Sequence, residues 1–351
     1  MDIGASYKIT WAMFFCNLAI LLHHANLKNY FNGDGNSIII YVMDFFSVIA
    51  IPAMTWFFFI SGYLFFRQFE MNQLLRKWKS RFKSLVIPYL LWNTVAVFLL
   101  LISRTERYEG LLSLIQKYYL CINDTGCADG PLWYVFRLCE FILAAPVIFY
   151  TVKNRNWKLT AIVSILIYAF NCYFGVEYSQ ISYFLPIFIV GAYIGENESQ
   201  RFESYFGNNC FKWKYAVISI LLLIIVSHCT TVFASVGALQ MLFRYIALIP
   251  FIGIVHSVKA IKPIEMTGCS MFFYCAHDIV YRIVRTIVLK FHVSIFISYF
   301  ALITISFSIL FALYFILKRY CEKFYAFLQA VDSGFICFGK GKYSQKSKLT
   351  V

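Results

Sequence analysis

The sequence predicts an all-α integral membrane protein, built as a bundle of about ten transmembrane helices with both termini in the cytoplasm. Hydrophobic residues make up 61% of the 351 positions and charged residues only 14%. A water-soluble domain of this size needs far more polar surface, so the composition excludes that class. Long apolar runs recur along the chain, and a helix of roughly 20 mostly apolar residues crosses a bilayer.

Ten apolar segments are candidate transmembrane helices. Residues 37–48, before the second segment, are expected to form an interfacial lead-in. Pro52 then falls in the first turn of the second helix, where a missing N–H does little harm. The expected domains are a transmembrane domain over residues 1–320 and a short basic cytoplasmic tail over residues 321–351. The ten segments are residues 8–26, 49–67, 84–103, 131–151, 158–175, 181–195, 214–232, 238–257, 268–289 and 294–317.

Basic residues carry the orientation signal. The chain has 31 Lys and Arg against 17 Asp and Glu, which gives a formal net charge of +14. These basic residues concentrate in loop 67–83, in segment 152–158 and in the tail, all on one side of the ten segments. Because basic loops stay in the cytoplasm, the pattern predicts a multi-pass protein of the cell membrane. It argues against a nucleic-acid partner.

Two adjacent histidines, His23 and His24, close the first apolar segment. Hydrocarbon cannot solvate an imidazole, so an ionisable group at this depth is costly and usually functional. Histidine also titrates near neutral pH, which suits it to moving protons. The predicted orientation places the pair toward the extracytoplasmic end of the first helix, and we identify both as candidate catalytic residues.

Polar residues in other segments are candidates to line the same cavity. Asn17 precedes His24 by two helical turns and shares its face. In the ninth segment, Tyr274, His277 and Asp278 recur at spacings of three and four, which makes a polar stripe. A polar stripe in a membrane helix faces the protein interior or a wet cavity. The alternative is a buried hydrogen-bond network that only packs helices.

Two further motifs have both a structural and a functional interpretation. Ser61 and Gly62 interrupt an apolar run, which permits close helix packing. Ser61 is also a candidate cavity residue and nucleophile. Trp133 opens the fourth segment, where it is either a cavity residue or an aromatic anchor at the membrane interface.

The basic loop 67–83 is a candidate donor-binding site. Arg67, Arg76 and Arg81 offer guanidinium groups, which are natural partners of phosphate. Positive-inside anchoring of the neighbouring helices is the alternative explanation.

The 11 cysteines do not indicate a metal site, because no CxxC or Cys/His ligand spacing occurs. Cys121 and Cys127 share one polar loop, and their pairing depends on whether that loop faces an oxidising compartment. We predict no metal and leave this disulfide open.

Five pieces of the chain together resemble the acyltransferase 3 family of membrane O-acyltransferases. They are an apolar first helix that ends in histidine, FFFISGYLFF at 57–66, RFKSLVIPYLLW at 81–92, GPLWYV at 130–135 and SMFFYCAH at 270–277. They occur in the family's order, and the resemblance covers roughly residues 8–318. It implies that an acyl group, most often acetyl, passes from cytoplasmic acyl-CoA to a hydroxyl of a cell-surface or lipid-linked carbohydrate.

The resemblance also implies roles for residues and partners. The family's helix-one histidine corresponds to His24 or His23, and His24 is preferred because Ala25 resembles the usual continuation. As general base it takes the proton of the acceptor hydroxyl, which is typically worth roughly 10²–10⁴-fold. The expected partners are acyl-CoA as co-substrate, the carbohydrate acceptor and membrane lipid, with no bound cofactor.

One departure from the family concerns donor binding. The family often has an arginine eleven residues before the histidine, and those positions are Ala12, counted from His23, and Met13, counted from His24. The nearest basic residue is Lys8, more than a helical turn further away. If that arginine normally holds the donor, the arginines of the basic loop are candidates to replace it. The alternative is a divergent member of the family with altered donor use or lost activity.

Three other functions stay open. One is a membrane domain without catalysis that senses a lipid or binds a partner. A transporter or flippase of a lipid-linked sugar would use the histidines as a proton relay. A polysaccharide polymerase would carry clustered arginines in a large extracytoplasmic loop. The longest such loop, 104–130, has only Arg104, Arg107 and Lys117, mixed with acidic residues.

Overall fold

The structure is a computed structural model that describes residues 1–31, 37–103, 110–121, 127–176, 182–208 and 210–321, with residues 325 and 328. Throughout these ranges the regular elements are helices, which confirms the predicted all-α class. The predicted tail lies almost wholly outside the described residues. In chain order the α-helices are α1 (Ile3–His24), α2 (Ser37–Phe66), α3 (Leu74–Arg81), α4 (Ile87–Ile102), α5 (Leu111–Leu114), α6 (Trp133–Leu143), α7 (Ala145–Val152), α8 (Trp157–Phe174), α9 (Leu185–Asn197), α10 (Ser199–Gly207), α11 (Trp213–Val232), α12 (Gly237–Ile246), α13 (Leu248–Ser257), α14 (Ser270–Leu289) and α15 (Ile295–Tyr320).

Seven helical stretches in the described part of the chain are long and apolar enough to cross a membrane. A bent pair, formed by α6 and α7 with their 65° turn, makes an eighth if it is one broken span. These stretches support a multi-pass membrane protein, although the predicted count of ten is not reached. The seven are Ile3–Tyr30, Ile38–Phe66, Met71–Ile102, Trp157–Phe174, Trp213–Val232, Gly237–Ser257 and Ile295–Tyr320.

Two of the ten predicted segments, those that form α9 and α14, are not among the helices long and apolar enough to cross a membrane. α9 has 13 residues, which reach only about 20 Å across a hydrocarbon core of about 30 Å. α14 is long enough, with 20 residues, but it contains Asp278, Arg282 and Arg285. About half or more of the residues of each helix are buried. Both helices therefore belong to the interior of the bundle.

Residues 37–48 do not form an interfacial lead-in, so that prediction was wrong. α2 runs without a break from Ser37 to Phe66, and Pro52 lies in its interior rather than in its first turn. Ile39 and Met43, one turn apart, are each 1% exposed, so the buried face of α2 is present from its start. Pro52 removes one intrahelical hydrogen bond, and packing on either side keeps the helix continuous.

Helices α2 and α9 approach each other closely through glycines. A methyl group added at Gly62 would lie 3.0 Å from the Ala192 amide nitrogen and closer still to the Phe188 carbonyl. Additions at Gly191 and Gly195 of α9 would meet the backbone of α2 in the same way. Small residues permit such contact between membrane helices, whose association depends on van der Waals packing. Gly62 therefore has the packing role that the sequence suggested.

The two ends of the bundle differ in their polar residues. At the end where α1 begins, the basic end, Glu203 of α10 accepts hydrogen bonds from Arg67 Nε at 2.5 Å and from the Asp2 amide at 2.6 Å. At the end where α1 finishes, the histidine end, Arg285 of α14 donates to the His24 carbonyl at 3.0 Å. α1 and α14 lie side by side, which brings their polar faces together.

Candidate active site

One face of α1 carries residues that line the candidate site. Met13, Asn17, Ile20 and His24 follow one another at intervals of three or four residues, so a helix stacks them in one row. Met13 and Asn17 line a narrow cavity, while Ile20 and His24 line a wider one nearer the histidine end. Asn17 thus shares a face with His24, but the two residues belong to different cavities.

The wider cavity, called the histidine cavity below, has a volume of about 360 Å³. This size is within the range of small-molecule sites. Both sequence-predicted histidines line it, together with Trp133 and Tyr274. Its full lining is Ile20, His23, His24, Ser47, Ala50, Ile51, Met54, Pro131, Trp133, Arg244 and Tyr274.

The two histidines have different neighbours. His23 Nδ1 is 3.0 Å from Ser47 Oγ, and this hydroxyl donates its own proton to the Met43 carbonyl at 2.9 Å. Ser47 therefore accepts from His23, which places the proton on Nδ1 and leaves a lone pair on Nε2. His24 packs between two imidazoles, with ring centroids 5.3 Å from His23 and 5.1 Å from His277.

His277 is the third imidazole of the site and comes from α14. It is fully buried, and its Nδ1 is 2.7 Å from the Tyr274 carbonyl and 3.1 Å from the Phe273 carbonyl. Carbonyls only accept, so Nδ1 carries the proton and Nε2 is an acceptor. No described residue hydrogen-bonds to Nε2. A buried acceptor therefore lies beside the ring of His24.

The narrow cavity has a volume of about 70 Å³ and an almost entirely apolar wall. On this wall Asn17 Nδ2 donates to the Ser270 carbonyl at 2.8 Å, which joins α1 to α14. Tyr274 lines both cavities, so its side chain is part of the wall between them. The narrow cavity is lined by Ile9, Thr10, Met13, Asn17, Phe57, Leu64, Tyr134, Thr267, Ser270, Met271 and Tyr274.

Three aromatic rings stand at the junction of the two cavities. Phe57, Tyr134 and Tyr274 have ring centroids 5.7 to 6.5 Å apart. The Tyr274 hydroxyl donates to the Pro131 carbonyl, and the Tyr134 hydroxyl is 2.9 Å from Ser61 Oγ. Ser61 is 1% exposed and is not among the residues that line either cavity. Ser61 thus supports Tyr134 and has no access to either cavity.

The three donor-binding candidates lie in different settings. Arg67 forms an ion pair with Glu203 at 2.5 Å, and Arg76 is exposed on the surface of α3. Arg81 is partly buried and lies within electrostatic range of Tyr134, which lines the narrow cavity. Arg81 is therefore the candidate that approaches the wall of a cavity.

Lys8 does not take the place of the arginine that is missing at positions 12 and 13. Its Nζ donates to the carbonyls of Asn208 at 2.7 Å and His256 at 2.9 Å, and neither residue lines a cavity. Ala12 is buried, and Met13 lines the narrow cavity. This chain therefore has an apolar wall where the family resemblance implies a cation.

Asp278 lies beside the histidine cavity rather than in its wall, with Oδ2 2.6 Å from Arg282 Nη2 one turn along α14. Asp129 is fully buried nearby, and neither of its carboxylate oxygens has a hydrogen bond within the described residues. Burial raises the pKa of Asp129 well above its usual value, and the Asp278 carboxylate raises it further. Burial of this carboxyl therefore favours its protonated form relative to an exposed aspartate.

Sequence reasoning missed both Asp129 and Arg244. Arg244 of α12 lines the histidine cavity, and it is the only Asp, Glu, Lys or Arg from residue 237 to residue 257. A lone charge in a long apolar segment is a usable signal, because such residues usually face a cavity or a partner. Asp129 gives no comparable signal, since aspartate in a loop is ordinarily solvated.

Cys121 and Cys127 are in contact but not bonded, with their sulfur atoms 3.3 Å apart. The hydrogen bond from Cys127 lowers the pKa of Cys121 to about 7, against the opposing effect of burial. Within the described residues, neither thiol nor any other side chain belongs to a group of three or more His, Cys, Asp or Glu suited to a metal ion.

The match to known sequences covers the same region as this geometry. A family model described as an acyltransferase domain matches residues 7–318, nearly the whole chain. The protein belongs to the acyltransferase 3 family. No curated protein and no solved structure matches it. In this acyltransferase the matched region runs from α1 into α15, so it includes both cavities and all three histidines of the site.

Proposed function

We propose that this acyltransferase transfers an acetyl group from cytoplasmic acyl-CoA to a hydroxyl of a cell-surface or lipid-linked carbohydrate, as a multi-pass enzyme of the cell membrane. The observation that carries the proposal is the pair of cavities along α1, which share Tyr274 as a lining residue and of which one is lined by His24. A donor and an acceptor that arrive from opposite sides require such an arrangement. The basic end is then the cytoplasmic one, in accord with the positive-inside rule.

The narrow cavity is assigned to the donor. Its wall is apolar, and its volume of about 70 Å³ leaves room for a short acyl group rather than a long chain. Acetyl is therefore the favoured group. The thioester arm would widen this cavity, and Arg81, which lies within electrostatic range of the cavity residue Tyr134, is proposed to bind the phosphates of the donor.

The histidine cavity is assigned to the acceptor. Its volume of about 360 Å³ suits a sugar ring, and its wall combines an indole face with hydrogen-bonding groups. Trp133 offers an apolar platform for the ring, while His23, His24 and Ser47 offer polar contacts. This combination fits a carbohydrate better than an apolar acceptor.

His24 is proposed as the general base of a direct transfer. It removes the proton of the acceptor hydroxyl while that oxygen attacks the thioester carbonyl. A C–O bond forms, the C–S bond breaks, and the departing CoA sulfur takes up the proton. Ser61 is not proposed as a nucleophile, because it is buried against Tyr134 and lines neither cavity.

The neighbours of His24 support its assignment as the base. His277 presents a buried acceptor, Nε2, next to the His24 ring, which would hold the N–H of His24 and orient its lone pair. A second group that orients the base is a general feature of such sites. His23, whose Nδ1 proton is held by Ser47, is proposed to bind the acceptor.

The test uses purified protein in lipid nanodiscs with isotope-labelled acetyl-CoA and glycans extracted from the native membrane. We expect labelled acetyl on the glycan together with free CoA thiol. The variant with both His23→Ala and His24→Ala should lose both signals, while His228→Ala, an exposed histidine on α11, should keep them. Undiminished acetylation by the double variant would refute the proposal. Movement of a lipid-linked sugar without thiol release would indicate a flippase instead.

A further inference from the structure

The span formed by α12 and α13 contains a single formal charge. From residue 237 to residue 257, Arg244 is the only Asp, Glu, Lys or Arg. A guanidinium at membrane depth is costly, so it is normally kept where it faces a cavity or an anion. The acyl transfer proposed above makes no use of Arg244, so its presence needs a separate explanation.

Arg244 belongs to the wall of the histidine cavity. It lines this cavity together with the two histidines and lies within electrostatic range of His23. Its backbone is attached to α2, because the Thr55 hydroxyl donates to the Arg244 carbonyl at 3.2 Å. The guanidinium is therefore part of the site that we assign to the acceptor.

The surroundings of the histidine cavity are positive. None of the described residues that line it is acidic. At its edge Arg285 donates to the His24 carbonyl at 3.0 Å and to the Tyr30 hydroxyl at 3.1 Å. Asp278, on the same helix as Arg285, is paired with Arg282 at 2.6 Å. Such a cavity favours an occupant that carries negative charge.

The chemistry of the wall suggests what that charge is attached to. Trp133 contributes an indole and Arg244 a guanidinium to the wall of the same cavity, and an indole is a suitable contact for a sugar ring. The guanidinium fork matches the oxygens of a carboxylate or a phosphate, which it binds with two parallel hydrogen bonds. A neutral sugar has no group that needs this fork.

We propose that Arg244 binds a carboxylate or phosphate group of the acceptor, so that this enzyme acylates an acidic carbohydrate. The proposal rests on the proposed acyl transfer, which identifies the occupant of the cavity as an acceptor. The anion at Arg244 holds the sugar ring beside Trp133 and directs a hydroxyl toward His24. Specificity then comes from one charge pair in a site of low dielectric constant.

The experiment measures binding rather than turnover. The protein with both histidines intact, in nanodiscs of phosphatidylcholine, serves as the parent, because no acyl transfer can occur while acyl-CoA is absent. Glucuronate, glucose 6-phosphate and glucose are the probes, and calorimetry gives their dissociation constants. We expect at least one of the two anions to bind about tenfold or more tightly than glucose, the order expected of a hydrogen bond to a charged group. Tighter binding of glucuronate would indicate an acceptor that carries a carboxylate, and tighter binding of glucose 6-phosphate would indicate one that carries a phosphate.

Substitutions in this parent assign the preference to Arg244. Arg244→Gln should abolish it, and Arg244→Lys should retain part of it. The matched control is Arg201→Gln, which removes an arginine that is 87% exposed on α10, and it should retain the full preference. Equal binding of all three probes to the parent, or a preference that survives Arg244→Gln, would overturn the proposal. Gel filtration verifies folding, and if the glutamine variant fails to fold, Arg244→Ala replaces it.

Different experimental results would refute the proposed anion site and the proposed acyl transfer. An Arg244-dependent anion preference without any thiol release when acetyl-CoA is added would leave the anion site standing and refute the transferase. Acyl transfer with no preference for acidic acceptors would refute the anion site and leave the transferase standing.

Discussion

The imidazole rings of His24 and His277 lie 5.1 Å apart, although α1 and α14 come from opposite ends of the chain. His277 Nδ1 donates a hydrogen bond to the Tyr274 carbonyl, so Nε2 of the same ring carries no proton and is a buried acceptor. The buried acceptor atom of His277 therefore lies beside the His24 ring, and neither helix contains this arrangement by itself.

Replacement of His24 should have a larger effect than replacement of His23. We expect His24→Ala to lower kcat by about 10²–10⁴-fold, the usual contribution of a general base, because the proton of the acceptor hydroxyl loses its destination. His23→Ala should mainly raise KM for the acceptor. Steady-state kinetics with acetyl-CoA in excess separate the two, and His228→Ala is the control. A larger loss of kcat in His23→Ala would assign the base to His23 instead.

Removal of the acceptor atom of His277 should impair the chemical step. We expect His277→Leu to lower kcat by about tenfold or more with little change in KM, because the His24 ring loses its orienting partner. His277→Gln keeps an acceptor atom and should recover part of the rate. A merely structural role would lower the melting temperature of both variants alike and leave the pH profile of kcat unchanged.

Gly62 should not tolerate a side chain. Gly62→Ala places a methyl group against the backbone of α9, and overpacking of this kind costs about 1–3 kcal/mol. We expect a lower melting temperature and lower yield of folded protein in detergent. Gly237→Ala is the matched control, because a methyl group there meets nothing within 4 Å. Equal melting temperatures for the two variants would contradict the close packing of α2 and α9.

Glu203 should stabilise the basic end in a pH-dependent manner. Burial opposes its ionisation, but hydrogen bonds from Arg67 and the Asp2 amide outweigh burial, so its pKa is lowered from the ordinary 4.5. A lowered pKa in the folded state adds stability above pH 4.5, and that stability is lost as the pH falls through the folded value. Glu203→Gln should therefore lower the melting temperature at pH 7, with the difference from wild type shrinking below about pH 4.5.

The matched control for Glu203 is Glu198→Gln, whose partner Arg201 is 87% exposed. Exposed pairs contribute about 0–1 kcal/mol, so this control should change the melting temperature little. A gap between wild type and Glu203→Gln that persists unchanged at pH 3.5 would contradict an ionised Glu203.

Cys121 and Cys127 should form a disulfide on mild oxidation. Their sulfur atoms are 3.3 Å apart, and a Cys121 pKa of about 7 provides thiolate for attack near neutral pH. Diamide accepts the two hydrogens that are released, and mass spectrometry of peptides should show the Cys121–Cys127 bridge. Cys16→Ser, which removes a distant buried thiol, should leave the reaction unchanged, and absence of the bridge would contradict the contact.

Much of the fold was predictable because the bilayer restricts it. An apolar segment at membrane depth must be helical to satisfy its own backbone, so the all-α class followed from composition. The number of spans was harder to predict, because inner helices need neither full length nor low charge: α9 is short and α14 is charged. The predicted start of α2 was wrong because residues 37–48 were interpreted as an interfacial lead-in, whereas they are the first turns of one continuous helix.

The sequence by itself determined that the chain is a helical membrane protein and a member of its family, and that His23 and His24 lie on an apolar helix. It also placed Asn17 on the face of His24, because helical periodicity is a local property. Only the tertiary structure decided that Asn17 and His24 line separate cavities and that the rings of His277 and His24 are neighbours. It also decided that Arg244 lines the same cavity as His24. Contacts between distant helices depend on how side chains pack across the bundle, and no local pattern in one sequence encodes that geometry.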